Sequence, residues 1–146
     1  MRKKHVFMIS ALAMTAFIFW NSLKPAQESS EASGRFVTIL GNLLTNFGLY
    51  ADYGLMEKIV RKTAHIAEFG VQAILFAGCF SGKYRKRVIY ILFFGLLTAC
   101  TDEYIQLFSA GRAGLISDIF IDFGGTSFGT IIFGIAKTRK RQSLRR

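Results

Sequence analysis

The sequence predicts an all-α polytopic membrane protein: four transmembrane helices, with an amphipathic helix in the first outer loop. Three observations carry this. The chain is 51% hydrophobic with a positive mean hydropathy of +0.34, outside ordinary soluble composition. Its apolar residues gather into runs near the roughly 20 residues that cross a hydrocarbon core. Its charges are sorted by segment. Arg2, Lys3 and Lys4 precede the first run, Lys83, Arg85, Lys86 and Arg87 fill a short loop, and Lys137, Arg139, Lys140, Arg141, Arg145 and Arg146 form the tail, with no acid among these clusters. All nine Asp and Glu residues lie in the complementary segments, beside Lys24, Arg35, Lys58, Arg61, Lys62 and Arg112. The positive-inside rule explains the partition and predicts both termini in the cytoplasm. A net charge of +10 would also suit a nucleic-acid binder, but the basic clusters abut hydrophobic spans and no reading helix is present, so nucleic acid is excluded as a partner.

The first span, about residues 6–23, follows a basic start as a signal peptide would. The small-residue site at Ser30 to Ala32 is far beyond Trp20 for cleavage, so the span is expected to be retained, with Trp20 as its outer anchor. Lys24 to Ser30 reads as a polar breaker stretch. From Arg35 to Tyr50, Phe36, Leu40, Leu43, Phe47 and Tyr50 recur at helical spacing opposite Thr38, Asn42, Thr45 and Asn46, which predicts a helix on the outer surface or re-entering between spans. The second span, about 59–80, carries Arg61, Lys62, His65 and Glu68 and is weak by hydropathy. It must cross if the basic loop and tail share one side. The third and fourth spans run about 88–106 and 115–136, giving one domain over 1–136 and a basic cytoplasmic tail over 137–146. Cys79 and Cys100 are expected as unpaired, buried small residues, because a depth offset of about 18 Å exceeds the roughly 7 Å bridging limit.

The polar residues inside the spans are aligned. Arg61, His65, Glu68 and Gln72 share one helical face. Thr98, Asp102 and Gln106 form a stripe with Glu103 beside it. Asp118, Asp122, Gly125 and Gly129 form another, the last two making a G-x-x-x-G contact surface. Counting about 1.5 Å per residue puts Glu68 about 18 Å and Asp102 about 21 Å above the inner boundary, and Asp122 about 10 Å below the outer start of its span. All three reach the outer third, with Arg112 in the short connection above them. Asp and Glu are too short to snorkel from that depth. Five carboxylates (Glu68, Asp102, Glu103, Asp118, Asp122) then face three fixed cations (Arg61, Lys62, Arg112). The difference calls for a protonated group, a metal ion or a cationic partner. Ion pairing as structure alone is the competing reading, but intramembrane ionisable residues point to function by default.

Arg61-Lys62-Thr63-Ala64-His65-Ile66-Ala67-Glu68-Phe69, then Asp102-Glu103 with Gln106 and Phe108, then Gly111-Arg112, Asp118, Asp122 and Gly125 resemble the VanZ-like family of bacterial membrane proteins. The likeness runs from the first span to about Gly129. It departs at Ile105, where many members carry His or an aromatic, and at Ala110, where Pro often stands. That family is named for a protein linked to resistance to the glycopeptide teicoplanin. The resemblance implies a role in the bacterial cell envelope and membrane, and supplies no reaction.

Three functions compete on the residues. The first is a component that alters how glycopeptides reach lipid-linked cell-wall precursors, through binding alone. The second is an enzyme on a lipid-linked or phosphate-bearing substrate, with His65 as acid/base, Glu68 or Asp102 orienting it, and Arg61 with Arg112 clamping a phosphate. Lys62, Glu103, Gln106, Asp118 and Asp122 complete its expected binding residues. Thr63, Thr98, Thr101 and Ser117 are the available hydroxyls, although such groups tend to bond the preceding turn. The third, proton or ion movement, is the weakest, since no ionisable residue continues the path through the inner half of a span. No cofactor motif is evident. With one imidazole and several carboxylates, the set is poor for zinc and better for magnesium or calcium.

Overall fold

The computed structural model describes residues 2–50 and 52–143. Its elements are α1 (Arg2–Leu23), α2 (Ala26–Asn46), α3 (Tyr53–Cys79), α4 (Tyr84–Gln106) and α5 (Ile116–Ser143), with no strand among the described residues. Helices α1, α4 and α5 are each long and apolar enough to cross a membrane. Helix α3 has 27 residues, about 40 Å of length at the α-helical rise, and packs against each of the other four.

The molecule buries polar groups and displays apolar ones. Gln72, Asp102, Asp122, Thr126 and Ser22 are among the largest fully buried side chains, while Leu12, Phe93, Phe120, Phe128 and Ile131 stand more than half exposed on the outside. Soluble monomers rarely expose so many large apolar side chains. Polar interior groups are held by cross-helix bonds: Gln72 Nε2 donates to Thr15 Oγ1 on α1 at 2.7 Å and to Thr98 Oγ1 on α4 at 3.4 Å. Two small apolar clusters, Ile18–Phe69–Ala99 and Ala73–Ala77–Ile91, fill the space between the helices around these bonds.

The closest seam joins α3 and α5. A Cβ at Gly125 would stand 2.5 Å from the Ile66 carbonyl oxygen, and one at Gly129 would strike the Gly70 carbonyl. The predicted small-residue surface is therefore where two backbones meet.

Several boundaries differ from expectation. Helix α2 begins at Ala26, so Gln27 to Ser30 lie in its opening turns rather than in a breaker stretch. Pro25 stands at the N-cap of α2 and disfavours helix in the residue before it, and Glu28 suits the positive N-terminal end. The other end closes at Asn46, short of Tyr50. Gly48 takes φ 72° and donates to the Thr45 carbonyl at 2.9 Å, while Leu49 N–H donates to the Leu44 carbonyl at 2.9 Å, the two bonds of a Schellman stop. Helix α3 starts six residues before Ile59, because Asp52 caps it by accepting from the Leu55 N–H at 2.9 Å. Helix α5 continues through Lys137 to Ser143, so the start of the tail is helical; Arg145 and Arg146 lie outside the described residues. Cys100 is not buried: it lies on the outward face of α4, and Cys79 is half-buried, both with free thiols.

Candidate functional site

The ionisable residues converge at the end of the bundle where α1 passes into α2 and α4 into α5. Asn21 and Ser22 close α1 there. Ser22 Oγ donates to Asp102 Oδ1 at 2.5 Å, and Asn21 Nδ2 donates to Glu68 Oε1 at 3.1 Å. Ser109 Oγ donates to the Ser22 carbonyl at 2.6 Å, and the Ala26 N–H donates to the Ala110 carbonyl at 3.0 Å. The α1–α2 corner is thereby latched to the α4–α5 connection.

His65 takes its place by helical register: it and Glu68 are three residues apart on α3 and face different partners. His65 Nδ1 lies 3.3 Å from Asp122 Oδ1 on α5, while Glu68 turns to Asn21 on α1. The nearest carboxylate to the imidazole is thus on α5, not the Glu68 of its own helix. Asp122 is 1% exposed and neither of its oxygens is met by an aligned hydrogen bond. Asp102, also buried, accepts from Ser22 and, through Oδ2, from Gln106 Nε2 at 3.0 Å. One donor atom each from His65, Asp102 and Asp122 can be chosen so that all lie within 4.8 Å of one another.

Glu103 and Asp118 are engaged at the edge of this group. Glu103 Oε2 accepts from the Leu115 N–H at 2.8 Å and Oε1 from Gln106 at 3.0 Å, holding the entry to α5. Asp118 pairs with Lys62 at 2.8 Å, both partly exposed. Of the candidate hydroxyls, Thr98 and Thr101 donate to the Phe94 and Leu97 carbonyls at 2.8 Å, and Ser117 donates to Asp118 at 3.2 Å.

Two clefts flank His65. The first, an open space of about 660 Å³, lies among α1, α2 and α3 and is lined by Lys24, Arg61, His65, Glu68 and Arg112, with Ala32, Phe36 and Val60 as apolar wall. The second, of about 440 Å³, is lined by Lys58, Arg61, Lys62, Gln106, Asp118 and Asp122, again with His65. Arg61 borders both. In the first, Arg112 reaches the Asn21 carbonyl at 3.2 Å and the Ser29 hydroxyl, while its buried Nε has no partner. Burial, with the positive charge of Arg61 nearby, lowers the Arg112 pKa from its ordinary value.

Sequence reasoning missed Asn21, Ser22, Ser29 and Ser109. The one signal was the Asn21-Ser22 pair directly after Trp20, which is also what an interfacial helix end looks like.

A helical bundle with an apolar exterior, three helices suited to crossing a membrane and an ionisable interior defines a class of membrane protein. The VanZ/LLP1 family model matches residues 7–137, and the chain belongs to that family. Searches of curated proteins and of solved structures returned no match.

Proposed function

We propose that this protein is a multi-pass component of the bacterial cell membrane that binds the phosphate-bearing head of a lipid or lipid-linked cell-wall precursor at the outer leaflet. In doing so it lowers susceptibility to glycopeptides such as teicoplanin. The observation that carries the reading is the first cleft. Lys24, Arg61 and Arg112 line one open space beside an apolar wall, and the Arg112 Nε is buried without a partner. Guanidinium groups that raise each other's energy are relieved by an anion, and phosphate is the anion their fork geometry suits.

In this reading α3 is a fourth span. Its ionisable face is covered by neighbouring helices instead of lipid, which makes the charges tolerable. Helix α2 is the amphipathic outer element, with Ser33 and Val37 turned inward and Phe36 in the cleft wall. Both termini are cytoplasmic.

The test is teicoplanin susceptibility in cells that produce the protein. Native protein is expected to raise the inhibitory concentration. The Arg61→Ala, Arg112→Ala double variant, present in equal amount, is expected to abolish the increase. An undiminished increase with the double variant rejects the cleft.

A second reading, an enzyme on the same lipid, is favoured by one contact: His65 borders the clefts with a buried carboxylate 3.3 Å away, an arrangement suited to proton transfer. It requires a new lipid product from purified protein that disappears with His65→Ala.

A further inference from the structure

The cluster deepest in the bundle asks for a different partner from the cleft above it. Asp102 and Asp122 sit on α4 and α5, both buried, and His65 faces them from α3. No lysine or arginine has a hydrogen bond or ion pair to either aspartate among the described residues. Of the bases nearby, Lys62 is engaged on Asp118 and Arg112 on Asn21 and Ser29, while Arg61 borders the clefts without bonding either aspartate. Asp102 receives only the neutral donors Ser22 and Gln106. Asp122, 1% exposed, receives no aligned hydrogen bond on either oxygen. Two carboxylates in a region of low dielectric cost several kcal/mol each unless compensated.

We infer that His65, Asp102 and Asp122 form a binding site for a hard divalent cation of the magnesium, calcium and manganese group. Two observations support the site. The first is geometric: the donor atoms lie within 4.8 Å of one another, the span of opposed ligands on a cation with bonds of about 2.3 to 2.6 Å, and a smaller ion is reached by slight closure. The second is the buried Asp122 carboxylate, neither of whose oxygens has an aligned hydrogen bond and one of which lies 3.3 Å from His65 Nδ1 within this same trio. Oxygen donors outnumber the imidazole, which favours hard ions over zinc. The hydrogen bonds from Ser22 and Gln106 orient Asp102 as outer partners orient metal-binding carboxylates. One divalent ion cancels both carboxylate charges. The inference is independent of what the first cleft binds.

The test uses the full chain in lipid nanodiscs, stripped with a chelator and titrated with manganese(II) chloride alone. Free manganese is followed by electron paramagnetic resonance. One ion per chain is expected, together with a manganese-dependent rise in thermal unfolding temperature and an electron spin-echo modulation from an imidazole nitrogen. Asp122→Asn removes the charge, keeps the side-chain shape with an amide beside His65 Nδ1, and should fold. It is expected to weaken manganese binding at least tenfold and to unfold at a temperature independent of the metal. His65→Gln is expected to lose the nitrogen modulation. Glu57→Gln, at a half-buried carboxylate outside the trio, is expected to bind as the native chain does. Absence of stoichiometric binding overturns the inference. So does undiminished binding in Asp122→Asn, and so does a nitrogen signal that persists in His65→Gln, which would assign it to His5.

Discussion

His65 on α3 and Asp122 on α5 face each other at 3.3 Å across the seam where Gly125 and Gly129 let the two backbones touch. The same glycine stripe that closes the helices one turn away brings the imidazole onto the buried carboxylate. Packing and site chemistry are therefore coupled at this seam, and their contributions can be separated by substitution.

Truncating the imidazole removes the group closest to a buried charge. His65→Ala is expected to destabilise the protein by about 1 to 3 kcal/mol, the cost of leaving the buried Asp122 carboxylate without the polar group beside it. The His65→Ala, Asp122→Asn double variant should recover much of that loss. Thermal unfolding in detergent reads both, and additive losses in the double variant would show that the two groups do not interact.

The glycine positions give a sharper contrast. Gly125→Ala and Gly129→Ala each place a methyl group against a carbonyl of α3 and are expected to cost about 1 to 3 kcal/mol. Gly124→Ala points into open space and is expected to be neutral or to stabilise by up to about 1 kcal/mol. Amounts of folded protein should rank accordingly. Equal tolerance at Gly124 and Gly125 would contradict the α3–α5 approach.

Much of the site was legible because register and depth are arithmetic on a helix. His65 and Glu68 on one face, Asp102 with Gln106 on another, and Asp122 in line with Gly125 all follow from the 3.6-residue period. Which carboxylate meets the imidazole was not legible, since the rotation of α3 against α1 and α5 divides Glu68 from Asp122. The α1 residues were hidden for a related reason. Asn21 and Ser22 act through Glu68 and Asp102, far along the chain, and no local pattern announces that. The start of α2 was missed because polar residues after a proline read as loop when they can equally open a helix.

Ser22 ties Asp102 to the end of α1 by a short hydrogen bond to a buried carboxylate. Ser22→Ala is expected to cost about 1 to 3 kcal/mol and to loosen the corner that Ser109 latches. Hydrogen exchange at the α1–α2 corner should rise in this variant, and an unchanged exchange pattern would remove the latch from the account.

Topology follows from the same account. Reporter fusions at Ser81 to Lys83 and after α5 are expected to report cytoplasm, and one at Leu49 the exterior. An outward C-terminus would contradict α3 as a span.

The measurement closest to the central claim is retention of lipid by the purified protein in native mass spectrometry, comparing a long-chain prenyl monophosphate with the matching prenyl alcohol. The account predicts that the phosphate is retained in preference to the alcohol, and that Arg61→Ala with Arg112→Ala reduces its retention at least tenfold. Equal retention of the two lipids, or phosphate retention indifferent to both arginines, would contradict it.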